Sequence, residues 1–232
     1  MFPAAAHKPF PVLILAPEIV AEAMALKPRA VEFRADLFRD YSIGEMKKVM
    51  SRFAARGSPT LLTIRRRHDG GAWRDVLEKD RRALFTKLLP LADAVDLELD
   101  RLASARSRLP DVLKRARAAK IPVFVSRHFM KRMPSIAELD VWLARAQEFS
   151  AARFKIAGFA AKKSEAERLA RWALESSSPS LPITAVAMGK AGSWTRWKLP
   201  LLLGGPAYAP LRDAVAPGQI SYTDLLKKMR AR

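Results

Sequence analysis

The chain has 232 residues, of which 42 are basic and 23 acidic; half are hydrophobic and none is cysteine. At ~150 residues per domain this allows one large domain or two small ones, and a single domain of this size buries ~70% of its unfolded surface without staples. The lack of cysteine excludes a disulfide framework, a thiolate metal site and a cysteine nucleophile. Ordinary apolar content excludes disorder, and no apolar run nears the ~18 residues of a membrane span. Met1-Phe2-Pro3 is not a charged stretch leading into an apolar one, so a cytoplasmic protein is expected. The net charge of +19 opens two readings, a nucleic-acid binder or an enzyme for an anionic small molecule. The bases are scattered over many segments, with no RGG tract, lysine-rich tail or aromatic RNP-like strand. No nucleic-acid partner is therefore expected.

Short apolar, β-branched runs recur along the chain at residues 12–16, 30–36, 60–65, 94–99, 122–126, 153–159, 182–188 and, more weakly, 201–208. Segments of helical period lie between most of them. Residues 42–55 carry Ile43, Met46, Val49, Met50 and Phe53 on one face, with Ser42 and Glu45 spaced as a capping box. Residues 75–89 set Val76, Leu77, Leu84, Phe85 and Leu88 on one face. Residues 135–149 repeat the capping pattern with Ser135 and Glu138, and residues 164–174 and 222–229 complete the set. Eight strands alternating with helices imply a parallel sheet with crossovers. An open nucleotide-binding sheet would show a glycine-rich turn after an early strand, but Pro17-Glu18-Ile19-Val20 follows the first one. The expected architecture is α/β, a single (β/α)8 TIM barrel across residues 1–232.

Active sites of such barrels lie at the C-terminal strand ends, where polar residues are informative. With a period of two, Glu32, Arg34 and Asp36 share one face of the second strand. Arg65 ends the third, Asp96 and Glu98 alternate along the fourth, and Ser126 and His128 end the fifth. Charges inside a barrel are costly unless paired, so these groups meet each other or a ligand. For any one of them a structural ion pair serves equally well; five successive strands favour a site. Lys155 lies between Phe154 and Ile156 in the sixth strand, where burial and nearby arginines favour a neutral amine able to attack a ketone as a Schiff-base nucleophile. The other reading is a lysine that snorkels from a strand end. His128 suits proton transfer near neutral pH, and Glu98 is placed to accept a ring N–H from it. His7 and His68 are expected at the surface, and no histidine spacing supports a metal site.

The ordered series resembles the type I 3-dehydroquinate dehydratases, over nearly the whole chain. The E-x-R-x-D motif reads Glu32, Arg34 and Asp36, and T-x-R reads Thr63 and Arg65, followed by Asp69-Gly70-Gly71 in place of Glu-Gly-Gly. D-x-E reads Asp96 and Glu98, S-x-H reads Ser126 and His128, and K-I-A is Lys155-Ile156-Ala157. Met188, Gly189, Gly192, Thr195 and Arg196 then match M-G-x-x-G-x-x-[ST]-R, before Ala216-Pro217-Gly218-Gln219. Departures are Phe129-Met130 for Asp-Phe after the histidine, Met133 for Thr before Pro134, Gly204-Gly205 for Gly-Ser, and Val215 for a hydroxyl residue. They fall on substrate affinity and lid contacts rather than on the chemistry.

The resemblance implies that Lys155 forms an imine with the C3 ketone of 3-dehydroquinate, that His128 removes a C2 proton and returns it to the departing C1 hydroxyl, and that Glu98 orients and charges His128. It further implies that Arg196 clamps the substrate carboxylate and that Glu32, Arg34, Arg65 and Gln219 hold hydroxyls. No metal or organic cofactor is expected, and family members are often homodimers. Two rival readings stand beside this one. Another Schiff-base barrel of the class I aldolase type would use the same lysine. A basic nucleic-acid-binding protein on a degenerate barrel would not keep Glu98, His128 and Lys155 together.

Overall fold

The computed structural model describes residues 2–3, 8–104, 109–212 and 218–230. Strand β1 (Pro9–Leu15) leads through α1 (Val20–Leu26) to β2 (Val31–Arg34), α2 (Ile43–Ala55) and β3 (Thr60–Thr63). Then come α3 (Glu78–Leu88), β4 (Ala94–Glu98), the short α4 (Leu99–Leu102), α5 (Leu109–Ala118) and β5 (Val123–Phe129). The second half runs α6 (Ile136–Glu148), β6 (Arg153–Phe159), α7 (Lys163–Ser176), β7 (Ile183–Met188), α8 (Thr195–Leu203), β8 (Gly205–Pro210) and α9 (Tyr222–Arg230). Both capping boxes form: Ser42 and Ser135 each accept the N3 amide at 3.2 Å while Glu45 and Glu138 reach back to the N-cap amides.

Every strand pair is parallel, in the order β7-β6-β5-β4-β3-β2-β1-β8. The result is a nearly closed (β/α)8 barrel. Outward-facing Leu13, Phe33, Leu62, Val95, Val125, Phe154 and Ile183 pack under the helices in one continuous apolar layer. The N-terminal end of the interior is plugged by Phe2, Phe10 and Phe124, whose rings meet edge to face with centroids 5.7 Å apart. Above that apolar floor the inward side chains become charged. The floor thus pushes the polar chemistry to the C-terminal mouth.

Among the described residues β7 and β8 form no ladder. Arg153 of β6, fully buried, occupies the base of this seam and donates to the Ile183 carbonyl at 3.4 Å and to Thr184 Oγ1 at 3.3 Å. A guanidinium therefore satisfies part of the β7 edge that a β8 ladder would otherwise meet. Gly205 makes room for it: a Cβ there would lie 2.6 Å from the Arg153 guanidinium, and its φ of +99° is one that L side chains rarely adopt.

Three sequence expectations change. The run at residues 201–208 is not one strand: Leu201–Leu203 close α8 and β8 begins at Gly205. A short apolar run carries no period that separates helix from strand. The helix expected from residue 75 starts as a 3-10 turn, Asp75–Leu77, with Val76 79% exposed and Leu77 on the surface, so neither joins the buried face. Strands β2 and β3 stop at Arg34 and Thr63, which leaves Asp36 and Arg65 in the turns that follow.

The seam yields a test. Gly205→Ala should destabilise the fold by more than ~1 kcal/mol, because it adds both a strained φ and a clash. Urea unfolding measures this; an unchanged midpoint would show that Arg153 is not wedged against β8.

Candidate active site

The inward residues of β2 to β6 are locked together by ion pairs. Lys155 Nζ lies 3.4 Å from Glu32 Oε1 and 3.6 Å from Asp96 Oδ2. The same Glu32 oxygen accepts from Thr63 Oγ1 at 3.0 Å. Asp96 Oδ1 accepts from Ser126 Oγ at 2.5 Å and meets Arg65 at 2.9 Å, and Arg65 also donates to Ser126 Oγ at 2.7 Å. The ring of Tyr208 on β8 covers the lysine, 4.1 Å from Nζ to the centroid. The amine is thus flanked by two carboxylates and an aromatic face, not by arginines and apolar side chains as the sequence suggested.

Arg34 forms a two-pronged pair with Asp36 at 2.9 and 2.7 Å, and Asp36 accepts the amides of Arg65 and Ala72 as well. Burial alone would push the Asp36 carboxyl up; Arg34 and the two amides outweigh it and hold it below the usual range. Asp36 therefore fixes both Arg34 and the turn after β3.

Glu98 does not bond to His128. Its carboxylate accepts from Arg81 of α3 and from the Arg66 amide at 3.3 Å, with Arg65 at 3.8 Å. Burial raises its pKa despite these cations. Arg81, itself fully buried, also donates to the Ile64 carbonyl at 3.0 Å and pairs with Glu78. Glu98 is drawn toward the helix layer because Arg81 is a stronger donor than a neutral imidazole. The Nδ1 of His128 is buried without a hydrogen-bond partner among the described residues. Its pKa lies well below 6.5, through burial first and then the field of Arg65, Lys155, Arg34 and Arg127.

These groups line one cleft at the C-terminal mouth, with about 590 Å³ of free space open to solvent. Glu32, Arg34, Arg65, His128, Lys155, Arg196 and Gln219 all face it; of the residues to which the resemblance gives a role, Glu98 alone does not line it. Arg196 arrives from the first turn of α8, where burial brings its guanidinium down to about 10. Gln219 comes from the segment before α9, while Val215 lies outside the described residues. Asp69 lines the cleft too, held by Arg66 at 2.5 Å. Ile14, Met130, Ala157, Val186 and Met188 supply the apolar wall. Phe129 points the other way, into the outer layer between the guanidinia of Arg127 and Arg132. His68 is exposed, as expected, and His7 lies outside the described residues. Among the described residues no cluster of His, Asp and Glu could hold a metal ion, and no helix is long and apolar enough to cross a membrane.

Residues 14–232 match the family model of Type I 3-dehydroquinase. The chain belongs to that family. The 3-dehydroquinate dehydratase of Methanosarcina barkeri is 32% identical over 219 residues, covering 90% of this chain and 88% of that one. The crystal structure of 3-dehydroquinate dehydratase from Aquifex aeolicus superposes with a TM-score of 0.81 at 25% identity, over 95% of this chain and 97% of the other. The type I enzyme from Clostridium difficile with covalently modified comenic acid reaches 0.84 at 23% identity, over 97% and 92%. The barrel expected from strand counting is thus the barrel of the type I dehydroquinases.

Sequence reading passed over Asp36, Arg81, Asp96 and Tyr208 as site residues. Asp36 and Asp96 stood in motifs already noted, so alternation alone pointed to them. Arg81 belongs to a helix, and nothing local shows that it reaches under β4. Tyr208 was hidden by the misplaced start of β8.

The electrostatics predict where His128 titrates. A depressed pKa keeps the ring neutral, and able to accept a proton, on the acid side of pH 6.5. Following the ring Cε1 proton by NMR should place the His128 midpoint below 6.5, and a midpoint at or above that value would contradict the cationic surroundings described here.

Proposed function

We propose that the chain converts 3-dehydroquinate to 3-dehydroshikimate and water through an imine on Lys155, with His128 moving the protons. The observation that carries the proposal is the shared face of β5 and β6. Register sets Ser126 beside Lys155 and His128 beside Ala157, so the histidine stands one pleat nearer the mouth than the amine. A six-membered substrate held over Lys155 then presents the carbon next to its reacting carbonyl to His128.

The Lys155 amine adds to the C3 ketone, and the carbinolamine loses one water to give the imine. The imine acidifies the C2 proton, and neutral His128 takes it as general base. The enamine pushes out the C1 hydroxyl, which leaves as water with the proton His128 returns. A water then hydrolyses the conjugated imine, freeing Lys155 and 3-dehydroshikimate, so the net change is the loss of one water. Arg196 donates to the substrate carboxylate, since a buried guanidinium gains most from an incoming anion. Arg34, Arg65, Glu32 and Gln219 offer donors and acceptors to the hydroxyls. Glu98 serves as a positioning residue that acts through Arg65, Arg66 and Arg81, a change from the direct histidine contact expected earlier. No cofactor takes part in this scheme, and we place the enzyme in the cytoplasm as a homodimer acting on a small molecule without a nucleic-acid partner.

Borohydride added with substrate or product should attach one ligand mass to a peptide containing Lys155. Label on another lysine, or none in active enzyme, would end the assignment. Lys155→Ala should fold and lose essentially all turnover. His128→Ala should still be labelled but lose ~10²–10⁴-fold in kcat; near-normal kcat would reveal another base. Turnover of sugar phosphates in preference to 3-dehydroquinate would favour an aldolase instead.

A further inference from the structure

We infer that Tyr208 is a positioning residue for Lys155, its ring stabilising the positive charge on the nitrogen as the amine becomes an iminium. The inference rests on Lys155 being the imine-forming residue. The ring face lies 4.1 Å from Nζ and Tyr208 is only 7% exposed, so the contact is largely desolvated. Cation–π attraction is strongest under those conditions.

The two carboxylates beside the amine hold it by charge, one of them also through a hydrogen bond. Glu32 from β2 accepts from the ammonium at 3.4 Å, and Asp96 Oδ2 from β4 stands 3.6 Å from it as an ion pair without a hydrogen bond. An ammonium has three N–H groups and an iminium keeps one. The planar nitrogen fixes the direction of that N–H, so the Glu32 hydrogen bond is constrained when the C–N double bond forms. A ring face attracts the charge itself and needs no N–H, so its contribution survives the step. Arg65, paired with Asp96 nearby, is a cation and opposes the new charge, and His128 is a neutral base already assigned to the proton.

The tyrosine is held for this role by β8. Its neighbour in register is Val12 of β1, and its ring forms the wall between the active cleft and a second cavity of about 340 Å³ along the β7–β8 seam. Its hydroxyl is buried without a hydrogen-bond partner among the described residues. Burial first, and then Glu32 and Asp96, keep that hydroxyl protonated, while Arg153 opposes them. The ring thus stays a neutral π face across the working range, and the hydroxyl is not what binds the lysine.

Ring and hydroxyl can be separated by substitution. In wild-type enzyme the fraction trapped by borohydride with bound product, and its pH profile, set the baseline. Tyr208→Phe should keep the pH midpoint of trapping. Tyr208→Leu should lower the trapped fraction about tenfold to thirtyfold, the loss of a desolvated cation–π contact, and move the midpoint toward acid by about one unit. Replacement of Tyr208 by mono-, di- and trifluorinated phenylalanine keeps the ring shape while draining its face. Trapping should fall stepwise along that series, which decides the matter even if the leucine variant does not fold. A flat fluorine series, or a phenylalanine variant as impaired as leucine, would overturn the inference. Failure of wild-type Lys155 to take label would instead overturn the imine assignment beneath it.

Discussion

Several cations lie buried in or beneath the barrel mouth, and the remainder of the interior is arranged to keep them there. Lys155, Arg34, Arg65 and Arg81 are answered by Glu32, Asp36, Asp96 and Glu98 in ion pairs, and the Arg34–Asp36 pair joins the others through the Arg65 amide. Taking each charge out of water costs several kcal/mol, and attraction offsets that only where geometry is good and remaining donors are met. The hydroxyls of Thr63 and Ser126 and the amides of Arg65, Arg66 and Ala72 supply those further bonds. The network reaches from β2 to β6 and into α3, so the strands that carry the site are fixed to one another by the same contacts that hold its charges.

This arrangement decides what is left for chemistry. Every carboxylate in the set is engaged by cations, so none is free to bond His128, and the histidine stands in a positive field with its Nδ1 unmet by the described residues. A neutral base among cations is the useful state for taking a proton next to an imine. The same field draws an anion toward the cleft, where Arg196 adds a further buried guanidinium. Fold stability and the proposed recognition of an anionic substrate therefore draw on one charge pattern.

Much of this was legible in the chain. Alternation of charged with apolar residues in β2, β4 and β5 placed Glu32, Arg34, Asp96, Glu98 and His128 on inward faces, because a strand's period is a local property. Pairing between those groups is not local. Glu98 and His128 lie on adjacent strands and look like partners, yet Arg81, 17 residues before Glu98, claims the carboxylate from below. The start of β8 was missed for a different reason. Leu199–Pro200 and the three leucines that follow are apolar throughout, so neither period shows, and a proline inside a helix argues against the helix that forms there. With the strand shifted, the position of Tyr208 over Lys155 could not be read.

The seam between β7 and β8 joins these threads. A parallel barrel gains a full ladder by closing, so leaving one interface open needs compensation. Arg153 supplies part of it by bonding the β7 edge, and Gly205 supplies the space for Arg153. Opening the interface frees β8 from matching β7, and Tyr208 can then turn its face to the amine while α8 brings Arg196 against the same wall. A β8 laddered to β7 would have its side chains placed by that register as well as by β1. The open seam is therefore coupled to the site: the residue that closes its base is the cation Arg153, and the residue that lines its upper part is Tyr208, whose ring lies on Lys155.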